Sequence, residues 1–335
     1  MRRATGSLFG LAYGDALGKP TEFLRVPEII ERYGPGGPRD LEGDPALVTD
    51  DTQMALEVAR ALRDAPEWTA AGFEPLLRAN FVGWSVSPDN NRAPGRTCMR
   101  ACRHLARGVP WVQATVAGSK GCGANMRVTP VGLLPGVDVD TMAGLAQFQA
   151  GLTHGHPTGL AAAELTAYAV RLLVRDGATL ADLPAALRER CGSQRHVYRA
   201  DWLGDLWQVP GAAAAFIDTA DEFIALGWDE CLTVLDRLDA ALARPDRDTD
   251  PCQATGRGWV AEEALATALH CALLYPDDPV SALARAATTD GDSDSIACLT
   301  GAFHGAAHGM DAWPPEWAGR IEHGPELAAL GALWD

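Results

Sequence analysis

The sequence predicts an all-α fold, and three observations carry that prediction. Apolar residues recur at helical spacing along most of the chain. Alternating runs rich in β-branched residues are scarce. The 35 glycines and 22 prolines gather between the periodic segments, notably at 34–45, 85–95, 118–136 and 244–258. Loops of that length in a helical protein are where function concentrates. The first helix falls at 5–14. Met1, Arg2 and Arg3 ahead of Leu8, Phe9 and Leu11 have the outline of a secretion signal, but Asp15 and Lys19 interrupt it and no small-residue cleavage site follows. Helices are expected next at 52–64, 72–84, 96–107, 141–151, 158–175 and 180–190. Over 213–224, Ala213, Phe216, Ile217, Ala220, Phe223 and Ile224 mark one face of a helix that Gly227 can close. Leu232, Leu235, Leu238 and Leu242 make a further stripe, and helices at 259–274, 279–287 and 295–308 complete the series.

At 335 residues with no long linker, the chain reads as one domain, 1–335. Apolar residues make up 47% and charged residues 21%, the balance of a soluble globular protein. No apolar run approaches the roughly 20 residues of a membrane span. The formal net charge of −16 opposes binding to an extended nucleic-acid backbone, so a nucleic-acid substrate would have to be a short end. Cysteines at 98, 102, 122, 191, 231, 252, 271 and 298 form no CxxC pair. They read as reduced, mostly buried thiols of a cytoplasmic protein, taken here as a monomer.

Two acidic clusters stand apart from this background, Thr49-Asp50-Asp51-Thr52 and Asp290-Gly291-Asp292-Ser293-Asp294-Ser295. Each runs into an expected helix. Helix capping accounts for one Asp, Ser or Thr at a helix start, whereas each of these starts carries several. Thr49 occupies the N-cap position, with Asp50 and Asp51 in or beside the first turn. Asp292 and Asp294, two apart, share a face if extended. If the clusters meet, their carboxylates repel unless protonated or bound to cations. Oxygen donors without nearby His or Cys favour Mg²⁺, Mn²⁺ or Ca²⁺ over zinc, and there are enough donors for two ions.

Six ordered motifs give these clusters a context: Gly10 to Gly18 (GLAYGDALG) with Glu22, Thr49 to Thr52, Gly121 to Pro130 (GCGANMRVTP), Thr153 to Pro157 (THGHP), Gly258 to Leu265 (GWVAEEAL), and Gly291 to Ile296 (GDSDSI). Taken together the chain resembles the ADP-ribosylglycohydrolases along most of its length. The resemblance implies a compact orthogonal helical bundle with two Mg²⁺ or Mn²⁺ ions in a cleft, cleaving the bond between ADP-ribose and an acceptor. By position, Thr49, Asp50, Asp51, Asp292, Asp294 and Ser295 would be metal ligands, Ser295 standing where relatives usually carry Thr. Glu22 and Asp292 would assist proton transfer or position water, and Asp89 falls where relatives have an active-site aspartate.

The same resemblance makes Ser119, Gly121, Cys122, Gly123, Asn125 and Met126 the loop that wraps the substrate, with Cys122 where many relatives have Asn. Glycines there would let backbone N–H groups approach phosphate oxygens. His154 either braces its loop or touches substrate, and Trp259 either borders the ribose or adenine or packs at a helix start. His304 and His308, four apart, have no third partner in sequence and read as packing residues. The expected activity is metal-dependent hydrolysis of an ADP-ribosyl linkage to a protein side chain, a nucleic-acid end or a small molecule. The alternative is a non-catalytic ADP-ribose-binding or transferase-blocking protein. A haloacid-dehalogenase-type phosphohydrolase, suggested by the Asp292-x-Asp294 spacing, would need that pair after a buried strand near the chain start. Ala286-Ala287-Thr288-Thr289 precedes it instead, near the chain end.

Overall fold

The computed structural model describes residues 1–212 and 217–335, and in them the fold is all-α. No strand is present among the described residues, only isolated bridges such as Gly121 with Val260. No helix among them is long and apolar enough to cross a membrane.

Helices that are apolar all round belong in a core, and two of them form its axis. Arg3–Gly18 is buried from Ala4 to Gly18, and Ser293–His308 is buried from Ser293 to Ala306. They lie against each other at backbone contact, because small residues on one helix face small residues on the other. A Cβ on Gly10 would overlap the carbonyl oxygen of Gly301, one on Gly14 that of Ala297, and one on Gly18 would press on the backbone of Asp294. This contact sets the Gly10–Gly18 segment directly beside the second acidic cluster. Around the axis pack Val139–Gly151, Pro157–Val174, Ala220–Leu242 and Ala261–Leu274, with Asp50–Asp64 and Ala70–Ser85 on another flank.

Several sequence expectations shift here. The stripe begun at Ala213 and Phe216 falls partly on 213–216, outside the described residues. From Ala220 the helix continues without a break to Leu242, so Gly227 does not close it. Gly227 is instead a point of close approach, where any Cβ would meet the Pro157 carbonyl. Two helices not expected from the periodicity, Val26–Tyr33 and Gly324–Trp334, also form. All eight cysteines are free and buried, as their spacing implied.

One interior charge is held in a way that braces a loop. Arg127 is fully buried, yet it donates to Gln149 Oε1 at 2.8 Å, to the Gln149 carbonyl at 2.7 Å and to Thr153 Oγ1 at 2.7 Å. Its guanidinium lies over the Phe81 ring, 4.5 Å from the centroid. A buried charge is tolerated when its donors are engaged in this way.

Candidate active site

The first acidic cluster is delivered by the start of the Asp50–Asp64 helix. Thr49 is its N-cap, its Oγ1 accepting from the Asp51 amide at 3.3 Å. Behind it stands Asp15, fully buried on the axial helix. Its carboxylate accepts from the Thr49 amide at 3.0 Å, the Thr52 amide at 3.0 Å and the Thr52 hydroxyl at 2.6 Å. Asp15 therefore fixes where Asp50 and Asp51 point. From the other side the Gly95 amide donates to Asp50 Oδ2 at 2.9 Å.

The second cluster opens the Ser293–His308 helix. Asp292 occupies the cap position but makes no side-chain cap bond, so capping does not explain its carboxylate. Asp290, by contrast, accepts from the Val26 amide at 2.7 Å and holds the start of the Val26–Tyr33 helix. Thr21 ties the intervening turn to this region, its hydroxyl lying 2.7 Å from the Ala287 carbonyl and 3.0 Å from Ser293 Oγ. That turn carries Glu22. Ligand oxygens of Glu22, Asp292 and Asp294 all lie within 4.8 Å of one another.

Glu22, Asp50, Asp51, Asp292, Asp294 and Ser295 line one wall of a cavity of about 460 Å³. The residues from the two clusters are buried, and none of these carboxylates forms a salt bridge with Lys, Arg or His among the described residues. Burial and mutual repulsion push their pKa values up. Asp15 rises to about 6, through burial and then the Asp294 charge. Asp50 rises to about 7, through burial that the Gly95 amide partly offsets. Glu22 rises to about 9, through burial followed by Asp294 and Asp50. Asp51 and Asp292 are held well above the carboxylate range by burial and then by Asp294. One oxygen of Asp51 has no hydrogen-bond partner at all.

The glycine loop also lines the cavity. Gly121, Cys122, Gly123, Met126 and His154 face the cavity. The loop amides are mostly engaged: Cys122 donates to the Trp259 carbonyl at 3.1 Å, and Ala124, Asn125 and Met126 donate to carbonyls within the loop. The expectation of a row of amides open to phosphate is thus narrowed, because bridge pairing to Val260 and a tight turn use them. Gly123 is obligatory for another reason, since a Cβ there would strike Cys98 Sγ and the His154 ring. His154 is neutral, its pKa driven well below the usual range by burial and by the nearby Arg127 charge. Its Nδ1 sits 2.7 Å from Thr153 Oγ1, which in turn accepts from Arg127. Trp259 is 43% exposed and stacks on Phe23, the centroids 6.3 Å apart and the planes 16° from parallel, beside the cavity mouth.

Four expected residues do not line this cavity. Thr49 stands behind it as the helix cap, its Oγ1 3.4 Å from Asp51 Oδ2. Asp89 faces a separate pocket with Gln53, Glu57, Arg60 and His323, and only its backbone carbonyl reaches inward, accepting from Gln53 Nε2 at 3.2 Å. Asn125 is fully buried and donates to the Ala261 carbonyl at 3.1 Å, which anchors the loop. Ser119 lies 3.1 Å from Thr97 Oγ1. Conversely, Asp15, Phe23 and the Pro94–Thr97 segment belong to the site's surroundings and were not singled out in the sequence. Asp15 carried a signal all the same, a lone carboxylate inside an otherwise apolar helix.

The family model described as ADP-ribosylglycohydrolase matches residues 1–335. The chain is 24% identical over 324 residues to the ADP-ribosyl-dinitrogen reductase glycohydrolase of Rhodospirillum rubrum, covering 96% of this chain and 90% of that protein. It is 26% identical over 349 residues to human ADP-ribosylhydrolase ARH3, covering 95% and 88%. A solved structure titled an ADP-ribosylglycohydrolase-related protein complex superposes with a TM-score of 0.63 at 25% identity, over 98% of this chain and 95% of that one. With the family model matched over 1–335 and the fold over 98% of the chain, the chain belongs to the ADP-ribosylglycohydrolase family.

Proposed function

We propose that this protein hydrolyses the glycosidic bond between ADP-ribose and an acceptor, with two divalent cations, Mg²⁺ or Mn²⁺, as cofactors. The observation that carries this reading is the convergence of Glu22, Asp292 and Asp294 within 4.8 Å at a cavity that also takes in Asp50 and Asp51. The donor set fits hard cations: all the donors are oxygens, the cluster carboxylates are buried without a cationic side-chain partner, and one Asp51 oxygen is unpartnered. Thr49, Asp50, Asp51, Asp292, Asp294 and Ser295 would hold the ions. Such ions, when bound, orient hydroxyl oxygens and make a nearby water a better nucleophile.

The remaining work falls to the chain's own residues. Glu22, at the half-buried edge of the cluster, is positioned to take a proton from water or return one to the departing acceptor through its carboxyl oxygens. Asp292 lies close enough to share that proton or to orient Glu22. Gly121, Gly123 and His154 line the same cavity closely, which limits the water reaching the sugar. Phe23 and Trp259 flank the entrance with flat apolar faces.

The test is to incubate the full chain with Mg²⁺ or Mn²⁺ and a panel of conjugates in which ADP-ribose is linked to arginine, serine, a nucleic-acid terminal phosphate or a small acyl acceptor. Release of free ADP-ribose from at least one conjugate is expected, and Glu22→Gln should slow it by about 100-fold or more. Tight binding of ADP-ribose with no release from any conjugate would favour a purely binding role.

A further inference from the structure

The charge of this chain is unevenly placed. Between Asp89 and Asp138 there is no acidic residue, while Arg92, Arg96, Arg100, Arg103, Arg107, Lys120 and Arg127 all fall in that stretch of a chain with net charge −16. Three of these are engaged internally. Arg92 pairs with Glu322, Lys120 pairs with Glu230 and Glu262, and Arg127 is buried. The other four, Arg96, Arg100, Arg103 and Arg107, are exposed, and none forms a salt bridge among the described residues.

Their placement is regular. Positions 96, 100 and 103 are spaced by four and three on the Arg96–Leu105 helix, so they share one face. At about 1.5 Å of rise per residue the row runs for about 10 Å before reaching Arg107 beyond the helix end. It begins at the cleft itself. Arg96 and Thr97 line both the acidic cavity and a neighbouring one of about 340 Å³, into which Arg100 and Arg103 also face, with Pro94, Met99 and Val116 supplying its apolar lining.

We propose that this row docks the phosphate backbone of a single-stranded nucleic-acid end, which makes such an end the acceptor that carries the ADP-ribosyl group into the cleft. The identity of the acceptor rests on the hydrolase reading above, whereas the docking does not. Guanidinium groups bind phosphate in a bidentate fork, and all four positions are Arg with no Lys. A nucleic-acid strand carries one charge per nucleotide in its backbone, so a row of cations meets it whatever the sequence. An acidic peptide would need carboxylates at alternate residues to match the row. The apolar lining between the arginines offers a base a flat surface, with a guanidinium to stack on. The acidic remainder of the protein confines contact to the length of the row and disfavours a long duplex.

The experiment uses the full chain and a fluorescent, 5′-phosphorylated single strand of about eight nucleotides, titrated over a salt series. Each strand phosphate neutralised contributes about −0.7 to the slope of log affinity against log salt, so contacts from Arg96, Arg100, Arg103 and Arg107 predict about −2.8. The double variant R100Q/R103Q should bring the slope to about −1.4 and weaken binding about tenfold or more. Turnover of a small-acceptor ADP-ribosyl conjugate should be unchanged in that variant, because Arg100 and Arg103 do not line the acidic cavity. Equal binding by wild type and double variant overturns the proposal. So does tighter binding of an eight-residue polyglutamate than of the oligonucleotide, which would point to an acidic protein segment. If the oligonucleotide binds through the row while no conjugate is hydrolysed, the docking stands and the hydrolase reading falls.

Discussion

Gly10 and Gly301 face each other so closely that a Cβ on either would overlap the other's carbonyl oxygen. The two axial helices meet backbone to backbone at this point, and the acidic site lies further along the same contact, at Gly18 and Asp294. Neither residue can move aside, because both helices are buried on all faces. Gly301→Ala should therefore cost about 3 kcal/mol or more, the upper end of what overpacking does. Urea unfolding of the variant checks this, and a midpoint within error of wild type would contradict the packing described.

Asp15 holds the first cluster from behind through the amides of Thr49 and Thr52 and the Thr52 hydroxyl. Asp15→Asn preserves the shape but turns an amide NH₂ toward groups that themselves donate. Loss of a residue that orients ligands lowers metal affinity or activity by about 10–100-fold. Calorimetric titration with Mn²⁺ should show that loss while the circular dichroism spectrum stays helical. Unaltered Mn²⁺ affinity would remove Asp15 from the site.

The helical class and the two acidic clusters were legible in the sequence because each depends on local pattern. Periodicity placed most helices, and a surplus of Asp, Ser and Thr at two helix starts marked Asp50, Asp51, Asp292 and Asp294. What depends on a distant partner was not legible. Gly227 reads as a helix stop until the Pro157 carbonyl is seen against it. Asp15 reads as an interruption until Thr49 and Thr52 are seen to donate to it. Asp89 is reached only through its backbone, whose carbonyl accepts from Gln53 at the first cluster's helix, while the residue lines another pocket. The Gly324–Trp334 helix carried a start signal in Pro325 and Glu326 that the weak periodicity of the following Leu and Ala residues obscured.

Lys120 ties the glycine loop to two helices, its Nζ lying 2.7 Å from Glu230 and 2.5 Å from Glu262. Glu262 is buried, and burial raises its pKa against the lowering effect of Lys120. Lys120→Met would strand that carboxylate, at a cost of about 1–3 kcal/mol once solvent screening of the partly exposed ammonium is allowed for. Amide exchange across residues 119–125 should quicken more than exchange in the axial helices. Uniform acceleration throughout the molecule would mean that Lys120 acts on global stability and not on the loop.

His304 is buried on the second axial helix, stacked 5.6 Å from His308, and neither of its ring nitrogens has a hydrogen-bond partner. Burial, then the His308 charge, lowers its pKa to about 3. An unfolded histidine titrates near 6.5, so below that pH the unfolded chain takes up a proton that the folded chain refuses. The neutral ring's contribution is complete above pH 6.5 and is lost as pH falls toward 3, amounting to about 2 kcal/mol between pH 7 and pH 5. His304→Leu should lose less stability over that interval than wild type by about this amount. Equal losses in urea unfolding at the two pH values would show that His304 protonates freely in the folded state.

The central claim is that the carboxylates gathered at Glu22, Asp50, Asp51, Asp292 and Asp294 form a cation-dependent centre for removing ADP-ribose. Its most direct measurement is the rate of ADP-ribose release, from whichever conjugate the panel identifies, for wild type and Asp51→Asn. Each protein is assayed after chelation and again after Mn²⁺ or Mg²⁺ is restored. Release by wild type that stops on chelation and returns with the cation, together with a variant at background under both conditions, is the predicted result. Undiminished release from the chelated wild type, or normal turnover by Asp51→Asn, would contradict it.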